Sequence, residues 1–251
     1  MIRKTRLLAA LAMMTLPVIA IAAAPLYTKA VADPARPAAD TARDADRKPA
    51  EMLAFAHVKP GQTVVDYMPG KGYFTRLFSA AVGPKGAVYT ETPQMMVDLY
   101  AKSGHPLPPS VSIEPGRGNV HDIIASGGSF HLPAPADLVW TSQNYHDYPD
   151  KFMGPTDPAI LDREVLAALK PGGVFVVVDH VAEAGSGERD TEKLHRIDPA
   201  FVKTQVVAAG FTFDGESDAL HNPADNHTLL VFKKEIRGNT DQFAYRFRKP
   251  K

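Results

Sequence analysis

The sequence contains no cysteine, a single tryptophan and no excess of charge of either sign. Without cysteine the chain has no disulfide, no thiolate metal ligand and no cysteine nucleophile. The 28 basic residues balance 28 acidic ones, which argues against a nucleic-acid binder that works through a broad basic face. The 45% of hydrophobic residues argue against a mostly disordered chain, and 251 residues suit one globular domain.

The N-terminal segment has the composition of a secretory signal. Arg3, Lys4 and Arg6 precede an apolar stretch, rich in Ala, Leu and Met, that runs to about residue 26. Residues 30–32 fit the small-x-small pattern of a signal peptidase site, and residues 20–22 are an earlier alternative. An uncleaved membrane anchor is the competing interpretation, which Pro17 and the alanine richness disfavour. We therefore expect a signal peptide over residues 1–32, a periplasmic or secreted protein, and no stable membrane span after cleavage.

The next segment, residues 33–50, is rich in Pro, Ala, Asp and Arg without apolar periodicity, which predicts an exposed, flexible leader. Residues 1–32 hold four basic residues and no acidic one, so a chain that begins at Asp33 has four more acids than bases. A single folded domain is predicted over residues 51–251.

Within this domain, helical and strand patterns alternate. Apolar residues at helical spacing predict helices over 50–57, 73–82, 160–169 and 199–209. Short apolar or alternating runs predict strands over 63–67, 87–90, 111–114, 137–141, 174–178, 211–213, 228–232 and 243–247. This alternation is typical of an α/β fold, in which helices cover both faces of a mostly parallel sheet.

A glycine turn follows the first predicted strand and opens a helix. Gly70 and Gly72 let the backbone approach a ligand closely, and the helix N-terminus offers unpaired N–H groups. Glu91 ends the second predicted strand, 19 residues beyond Gly72, where an acidic side chain suits the hydroxyls of a ribose. The pattern indicates a nucleoside-like ligand; the alternative is a turn that serves only strand-to-helix packing.

Four motifs resemble those of class I S-adenosylmethionine-dependent methyltransferases, over about residues 51–251: VVDYMPGKGYFT, YTETP, ADLVWTSQNYHDY and LKPGGVFVVVDH. Within this class, the chain resembles more closely a bacterial group of predicted, often exported methyltransferases. Four segments carry this closer resemblance: PGKGYFT, NYHDY, LHRID and RGNTDQFAYRFRKP. The resemblance implies a Rossmann-like class I methyltransferase fold, with a seven-stranded sheet whose last strand is antiparallel. It also implies that S-adenosylmethionine, the methyl donor, lies across the carboxyl ends of the strands.

The same resemblance implies a donor site. Asp66 is expected to hold the amino-acid end of the donor, directly or through water. Met68 stands where the common family turn has a glycine, so the backbone there approaches the ligand less closely. The resemblance further implies that Gly70 and Gly72 line the donor, that Glu91 binds its ribose, and that Asp122 approaches its adenine amino group.

The acceptor side is predicted at the ends of two other strands. His146 has an ordinary pKa that suits removal of a proton from an acceptor, and Asp147 either orients this imidazole or caps the following turn. Asp179 and His180 end the fifth strand and are candidates for the same site or for turn chemistry. An alternative is that these four side chains, all at the ends of neighbouring strands, converge as metal ligands. They lack a metal-ligand spacing motif, however, so we expect no metal.

Three functions fit these patterns. We expect methyl transfer from S-adenosylmethionine to a small-molecule or other acceptor, by a protein with no nucleic-acid partner. The alternative is a non-enzymatic periplasmic protein that binds a small ligand in the same pocket. An NAD-dependent oxidoreductase is disfavoured, because the glycine turn and the LKPGG segment resemble the methyltransferase form. The sequence does not indicate the oligomeric state.

Overall fold

The computed structural model describes residues 25–125, 130–153 and 157–251. Most of the predicted signal segment, residues 1–24, lies outside these ranges. None of the helices within them has both the length and the apolarity to cross a membrane.

The described residues form one seven-stranded sheet. Its strands are β1 (Thr63–Tyr67), β2 (Ala87–Pro93), β3 (Val120–Ala125), β4 (Ala136–Ser142), β5 (Leu169–His180), β6 (Thr212–Ser217) and β7 (Gln242–Arg248). They are ordered β3-β2-β1-β4-β5-β7-β6 across the sheet. Strand β7 is antiparallel to both neighbours, and the other pairs are parallel. The predicted α/β fold, with its antiparallel last strand, is confirmed.

Helices cover both faces of the sheet. In chain order they are α1 (Pro25–Val31), α2 (Ala38–Thr41), α3 (Asp44–Arg47), α4 (Pro49–Phe55), α5 (Tyr73–Val82), α6 (Gln94–Ser103), α7 (Pro158–Ala168), α8 (Thr191–Leu194) and α9 (Pro199–Ala208). On one face, Leu77 and Phe78 of α5 are buried in the same cluster as Trp140 of β4. On the other, Val165 of α7 is buried with Phe175 of β5. Burial of each such side chain contributes about 1.5 to 3 kcal/mol.

Two predicted strands are wrong. Residues 111–114 contain a short 3₁₀ turn, Val111–Ile113, which Ser110 caps by accepting a hydrogen bond from the Ser112 amide at 2.9 Å. The third strand lies at Val120–Ala125 instead. Residues 228–232 form bends and turns, and Phe232 is 54% exposed. In both segments β-branched or aromatic residues suggested a strand, but only one residue of each is buried, Val111 and Val231, and neither segment pairs with the sheet.

Residues 33–50, predicted as an exposed leader, are folded against the domain. Asp40 pairs with Arg76 of α5 at 3.0 Å, and Asp33 pairs with Arg117 at 2.7 Å. These contacts are ionic, which is why the segment lacks the apolar periodicity that sequence patterns detect.

Helix α1, which lies inside the predicted signal segment, packs on the core. Tyr27 and Ala30 are buried in the same cluster as α5, and the Tyr27 hydroxyl donates to the carbonyl of Val58 at 3.0 Å. Cleavage after residue 32 removes this helix, whereas cleavage after residue 22 keeps it.

The sheet order places the functional segments together. Strands β2, β1, β4 and β5 are consecutive neighbours and parallel, so their carboxyl ends meet at one edge of the sheet. Ligand sites of open parallel sheets form at this edge, where successive helices diverge. The glycine turn after β1 and the segments after β4 and β5 all leave the sheet there.

Candidate functional site

The glycine turn after β1 has three residues in the left-handed backbone region. They are Met68 at a φ of 53°, Gly70 at 57° and Gly72 at 78°. The amide of Met68 donates to the carbonyl of Glu91 at 2.8 Å, which ties the turn to β2. Methionine thus adopts the conformation that a glycine takes without strain, at a cost of about 1 to 2 kcal/mol.

The two glycines have different spatial roles. A Cβ on Gly72 would overlap the side chain of Val111, so this position requires glycine for packing. A Cβ on Gly70 would meet no atom within 4 Å. Gly70 lines three cavities that meet around the turn, and its missing side chain leaves space for a ligand there.

The first cavity, of about 340 Å³, combines acidic and basic groups. Asp66 lines it at the end of β1, together with Arg43 and Arg47 of the segment predicted as a leader. The Asp66 carboxylate accepts a hydrogen bond from the Thr75 hydroxyl at 2.6 Å. Burial raises the pKa of Asp66 to about 7, and the Thr75 hydrogen bond and Arg47 oppose this shift.

Arg47 is held over the entrance to α5. It donates to the Gln143 side chain at 2.8 Å, and its guanidinium lies 4.8 Å from the ring centroid of Tyr73 and 5.2 Å from that of Phe74. Burial and the neighbouring Arg43 lower its pKa to about 10, so it remains charged at neutral pH. Sequence reasoning missed Arg47, because no motif marks an arginine in a segment without periodicity.

The second cavity, of about 220 Å³, lies between the glycine turn and β3. It is lined by Gly70, Thr92, Ser110 and Asp122, among others. The Asp122 carboxylate accepts hydrogen bonds from Ser110, Ser112 and Thr90 at 2.6 to 2.7 Å. Burial tends to raise the pKa of Asp122, but these hydrogen bonds hold it below its usual value. Asp122 therefore lies within β3 and lines the same cavity as Gly70. Its contact with the adenine amino group stays a prediction.

Glu91 does not line any of these three cavities. Its neighbours Thr90 and Thr92 face the second cavity, so Glu91 points to the opposite side of the sheet, near Glu164. Its side chain is buried, and Oε2 has no hydrogen-bond partner among the described residues. Burial, and then Glu164, raises the pKa of Glu91 to about 8. The side chain at the end of β2 that reaches the cavity is that of Thr92, which sequence reasoning missed.

Beyond β4, His146 is the centre of a polar cluster. Its Nδ1 is 2.7 Å from Oδ1 of Asp179, and its backbone amide donates to Oδ2 of the same carboxylate at 2.8 Å. Its Nε2 lies 3.1 Å from Oδ1 of Asp147 and 3.1 Å from Nδ1 of His195. The structure therefore brings together His146, Asp147 and Asp179, three of the four candidates for the acceptor side, and adds His195.

The two carboxylates control the charge of this cluster. Burial lowers the pKa of His146, but Asp179 and Asp147 outweigh it and raise this pKa to about 10. Burial raises the pKa of Asp147, and hydrogen bonds from His146 and His195 outweigh it, so that this pKa falls to about 2. In this environment His146 keeps its proton at neutral pH, which suits a hydrogen-bond donor better than the predicted base.

His180 faces away from the centre of the cluster. Its Nδ1 is 2.7 Å from the hydroxyl of Thr240, and its ring centroid is 5.9 Å from that of His146. Burial lowers its pKa to about 3, so it is neutral. His180 thus borders the cluster without joining it.

A third cavity, of about 150 Å³, connects the glycine turn to this cluster. Met68, Gly70 and Asn144 line both it and the first cavity. The rest of its wall consists of Thr92, Met96, Tyr100, Leu107, Pro108 and Asp147. The Asn144 amide donates to the carbonyl of Met68 at 3.1 Å, which fixes the loop after β4 against the turn. A larger cavity of about 630 Å³ lies elsewhere, beside Arg117 and Asn119, and holds none of the predicted site residues.

No family model and no curated protein matches the sequence. Among solved structures, an S-adenosylmethionine-dependent methyltransferase from Aquifex aeolicus is 18% identical over 83% of this chain and 93% of its own, with a TM-score of 0.56. The chain has the class I methyltransferase fold. The (4+2)-cyclase SpnF matches the same fold at 17% identity, over 81% of this chain and 82% of its own, with a TM-score of 0.52. Because SpnF is named for a cyclisation, the methyltransferase fold does not determine the reaction by itself.

Proposed function

We propose that the protein transfers the methyl group of S-adenosylmethionine to a small-molecule acceptor. The observation that carries this proposal is the set of charges around the first cavity, which Asp66, Arg43 and Arg47 line together. The amino-acid end of the donor carries an ammonium and a carboxylate group, which match a carboxylate on one side and guanidinium groups on the other. The open space at Gly70 leaves room for the rest of the donor.

The second cavity suits the adenosine end of the donor. It adjoins the first at Pro69 and Gly70, so one molecule reaches both. Thr92 lines it at the end of β2 and offers a hydroxyl group for a hydrogen bond to a ribose. Asp122 also lines it, and beside the hydrogen bonds from three hydroxyl groups its carboxylate has acceptor capacity for the adenine amino group.

The third cavity suits the acceptor. The donor supplies a methyl group on a positively charged sulfur, and the protein must place the attacking atom in line with it at about 3 to 3.5 Å. Asn144 is fixed by its hydrogen bond to the turn and borders both the first and the third cavity. The Asp147 carboxylate lines this cavity and is available to accept a hydrogen bond from a hydroxyl or amine group of the acceptor. A cavity of about 150 Å³ favours a small molecule over a nucleic acid.

Calorimetric titration of the purified chain tests the donor site before an acceptor is known. We expect S-adenosylmethionine and its demethylated product to bind at one site with micromolar affinity, and NAD not to bind. Gly70→Ala adds a methyl group to the cavity, so donor affinity is expected to fall about 5- to 150-fold, the equivalent of 1 to 3 kcal/mol of overpacking.

Gly61→Ala is the matched control. Gly61 also has a positive φ and open space around its Cβ, so both variants carry the same backbone strain, but Gly61 does not line the three cavities. Gly61→Ala should keep its donor affinity within about twofold while losing as much stability as Gly70→Ala, about 1 kcal/mol. A folded chain that binds neither donor nor product contradicts the proposal and favours the alternative of a binding protein for another ligand.

We further propose that the protein is exported to the periplasm or secreted, as in the group of often exported methyltransferases that it resembles. The basic residues before an apolar stretch support this proposal. The packing of α1 on the core favours cleavage after residue 22 rather than after residue 32, because Tyr27 and Ala30 are then retained.

Mass spectrometry of the chain from the periplasmic and cytoplasmic fractions of an expressing bacterium tests both points. We expect the periplasmic form to begin at residue 23. A form that begins at Asp33 contradicts the cleavage position, and an intact chain found solely in the cytoplasm contradicts export.

A further inference from the structure

We propose that His146, Asp147 and His195 bind a divalent transition-metal ion. Their nearest ligand atoms form a small triangle: Nε2 of His146 lies 3.1 Å from Oδ1 of Asp147 and 3.1 Å from Nδ1 of His195, and the third side is 3.5 Å. The residues come from two segments 48 positions apart, which fold together at the ends of β4 and β5. Each offers one ligand atom to a common point.

The size of the triangle matches a coordination shell. With metal–ligand bonds of about 2.1 Å, adjacent ligand atoms are about 3.0 Å apart in octahedral and about 3.4 Å apart in tetrahedral geometry. The three separations at this site fall close to that range. Two imidazoles and one carboxylate on one face of a metal leave further positions open, and this mixed nitrogen and oxygen set favours Zn²⁺, Fe²⁺ or Mn²⁺ over Mg²⁺ or Ca²⁺.

A buried carboxylate orients the first ligand. Oδ1 of Asp179 lies 2.7 Å from Nδ1 of His146, and the same carboxylate accepts the backbone amides of His146 and His180. Metal-bound histidines commonly donate their second ring nitrogen to a carboxylate in this way, and a bound ion then takes the place of the proton on Nε2. Asp179 is thus a positioning residue, and His180, turned toward Thr240, lies outside the ligand set.

The second histidine is held in a strained backbone. His195 directly follows α8, as its C-cap, with a φ of 52°, a left-handed conformation that is unusual for a residue other than glycine. Its neighbour Arg196 is fully buried and donates to two backbone carbonyls, which anchors the segment. Strain of this kind persists where surrounding contacts impose it and is concentrated at functional sites.

The triangle is accessible from the third cavity. The side chains of Asp147 and His195 are 15% and 25% exposed, and Asp147 lines that cavity. An ion at this place has open positions for water or for an oxygen of a bound molecule. Its role as a Lewis acid toward the acceptor rests on the proposed methyl transfer, whereas ion binding itself does not.

Cobalt titration tests the site without an activity assay. The purified chain is stripped with a chelator and titrated with Co²⁺, whose visible absorption reports bound nitrogen and oxygen ligands. We expect one equivalent to bind and to be displaced by Zn²⁺. In Asp147→Asn and in His195→Ala the affinity for Co²⁺ should fall at least about 10-fold, and Asp179→Asn should lower it about 10- to 100-fold.

Two histidine variants serve as controls. His105→Ala removes an exposed histidine of the loop after α6, and His227→Ala removes one that contacts Asp241 at 2.9 Å in a separate cluster. Both should bind Co²⁺ like the unaltered chain, and circular dichroism verifies that every variant is folded.

Absence of stoichiometric Co²⁺ binding by the unaltered chain overturns the proposal in favour of a purely hydrogen-bonded cluster. Unchanged affinity in both Asp147→Asn and His195→Ala overturns it as well. Donor binding is measured separately, by calorimetry. A chain that binds no Co²⁺ therefore leaves the donor proposal unaffected, and a chain that binds no donor leaves the metal-site proposal unaffected.

Discussion

At pH 8, Glu91→Gln is expected to raise the free energy of unfolding by about 2 to 4 kcal/mol. The Glu91 side chain is 2% exposed, and its Oε2 has no hydrogen-bond partner among the described residues. Burial and the nearby Glu164 raise the pKa of this carboxyl from 4.5 to about 8. An ionised carboxylate in that position lacks the compensation that buried charges need, and an amide of the same shape removes the charge.

The sign of this effect depends on pH. A carboxyl whose pKa is raised in the folded state contributes its stability fully below pH 4.5, and this contribution is lost as the pH rises toward 8. The benefit of the substitution should therefore shrink to about 1 kcal/mol or less at pH 5. Urea unfolding of both chains at pH 5 and pH 8 measures the difference.

Glu51→Gln provides the control for this measurement, because Glu51 is an exposed residue of α4 and its substitution should change stability by about 0.5 kcal/mol or less at either pH. A Glu91→Gln chain that is less stable than the unaltered one at pH 8 contradicts the prediction.

Donor titration of Glu91→Gln also tests the ribose contact predicted from sequence. A loss of donor affinity supports that contact, and unchanged affinity favours a ribose contact from Thr92 instead.

Arg196→Met is expected to lower the free energy of unfolding by about 3 to 5 kcal/mol. Its side chain and that of Asp225 are 0% and 1% exposed, and they form an ion pair at 2.9 Å. The same guanidinium donates to the carbonyls of Leu229 and Val181, each at 2.9 Å. Methionine fills a similar volume but leaves a buried carboxylate without its cation and two carbonyls without a donor, which is why the cost is large.

A double-mutant cycle separates the ion pair from the packing of the arginine stem. Asp225→Asn combined with Arg196→Met should cost less than the sum of the two single changes, because neither charge is then left alone. Lys151→Met breaks a pair with Glu192 in which the two side chains are 86% and 55% exposed, and it should cost about 1 kcal/mol or less. If Arg196→Met lowers the free energy of unfolding no more than Lys151→Met does, the prediction that the buried ion pair stabilises the fold is wrong.

The patterns that predicted the central elements well share a physical cause. Strand β1 and helix α5 have the predicted bounds, because β1 is buried on both faces and α5 presents apolar residues at helical spacing between glycine breaks. Strand β3 was missed because it lies at the edge of the sheet and its middle residues are largely exposed, so its sequence lacks the apolar signature of a buried strand.

Some features of the candidate site could likewise be predicted from the sequence, and others could not. The positions of Asp66, Gly70 and the pair His146 and Asp147 at the sheet edge were predictable, since each lies within five residues of the carboxyl end of a parallel strand. The direction of Glu91 was not, because a difference of one residue in strand register moves a side chain to the other face. His195 entered the sequence analysis only as part of the LHRID segment, and its place beside His146 emerges from the fold.

The sequence by itself determined the α/β architecture, the glycine turn and the strand ends that carry polar residues, because hydrophobic periodicity and backbone restrictions act over short distances along the chain. Tertiary structure alone decided that Arg47 enters the first cavity, that Thr92 rather than Glu91 faces the second, and that His195 completes a triangle with His146 and Asp147. These contacts join residues far apart in the chain. Their geometry follows from how helices and loops pack on the sheet, which no local pattern encodes.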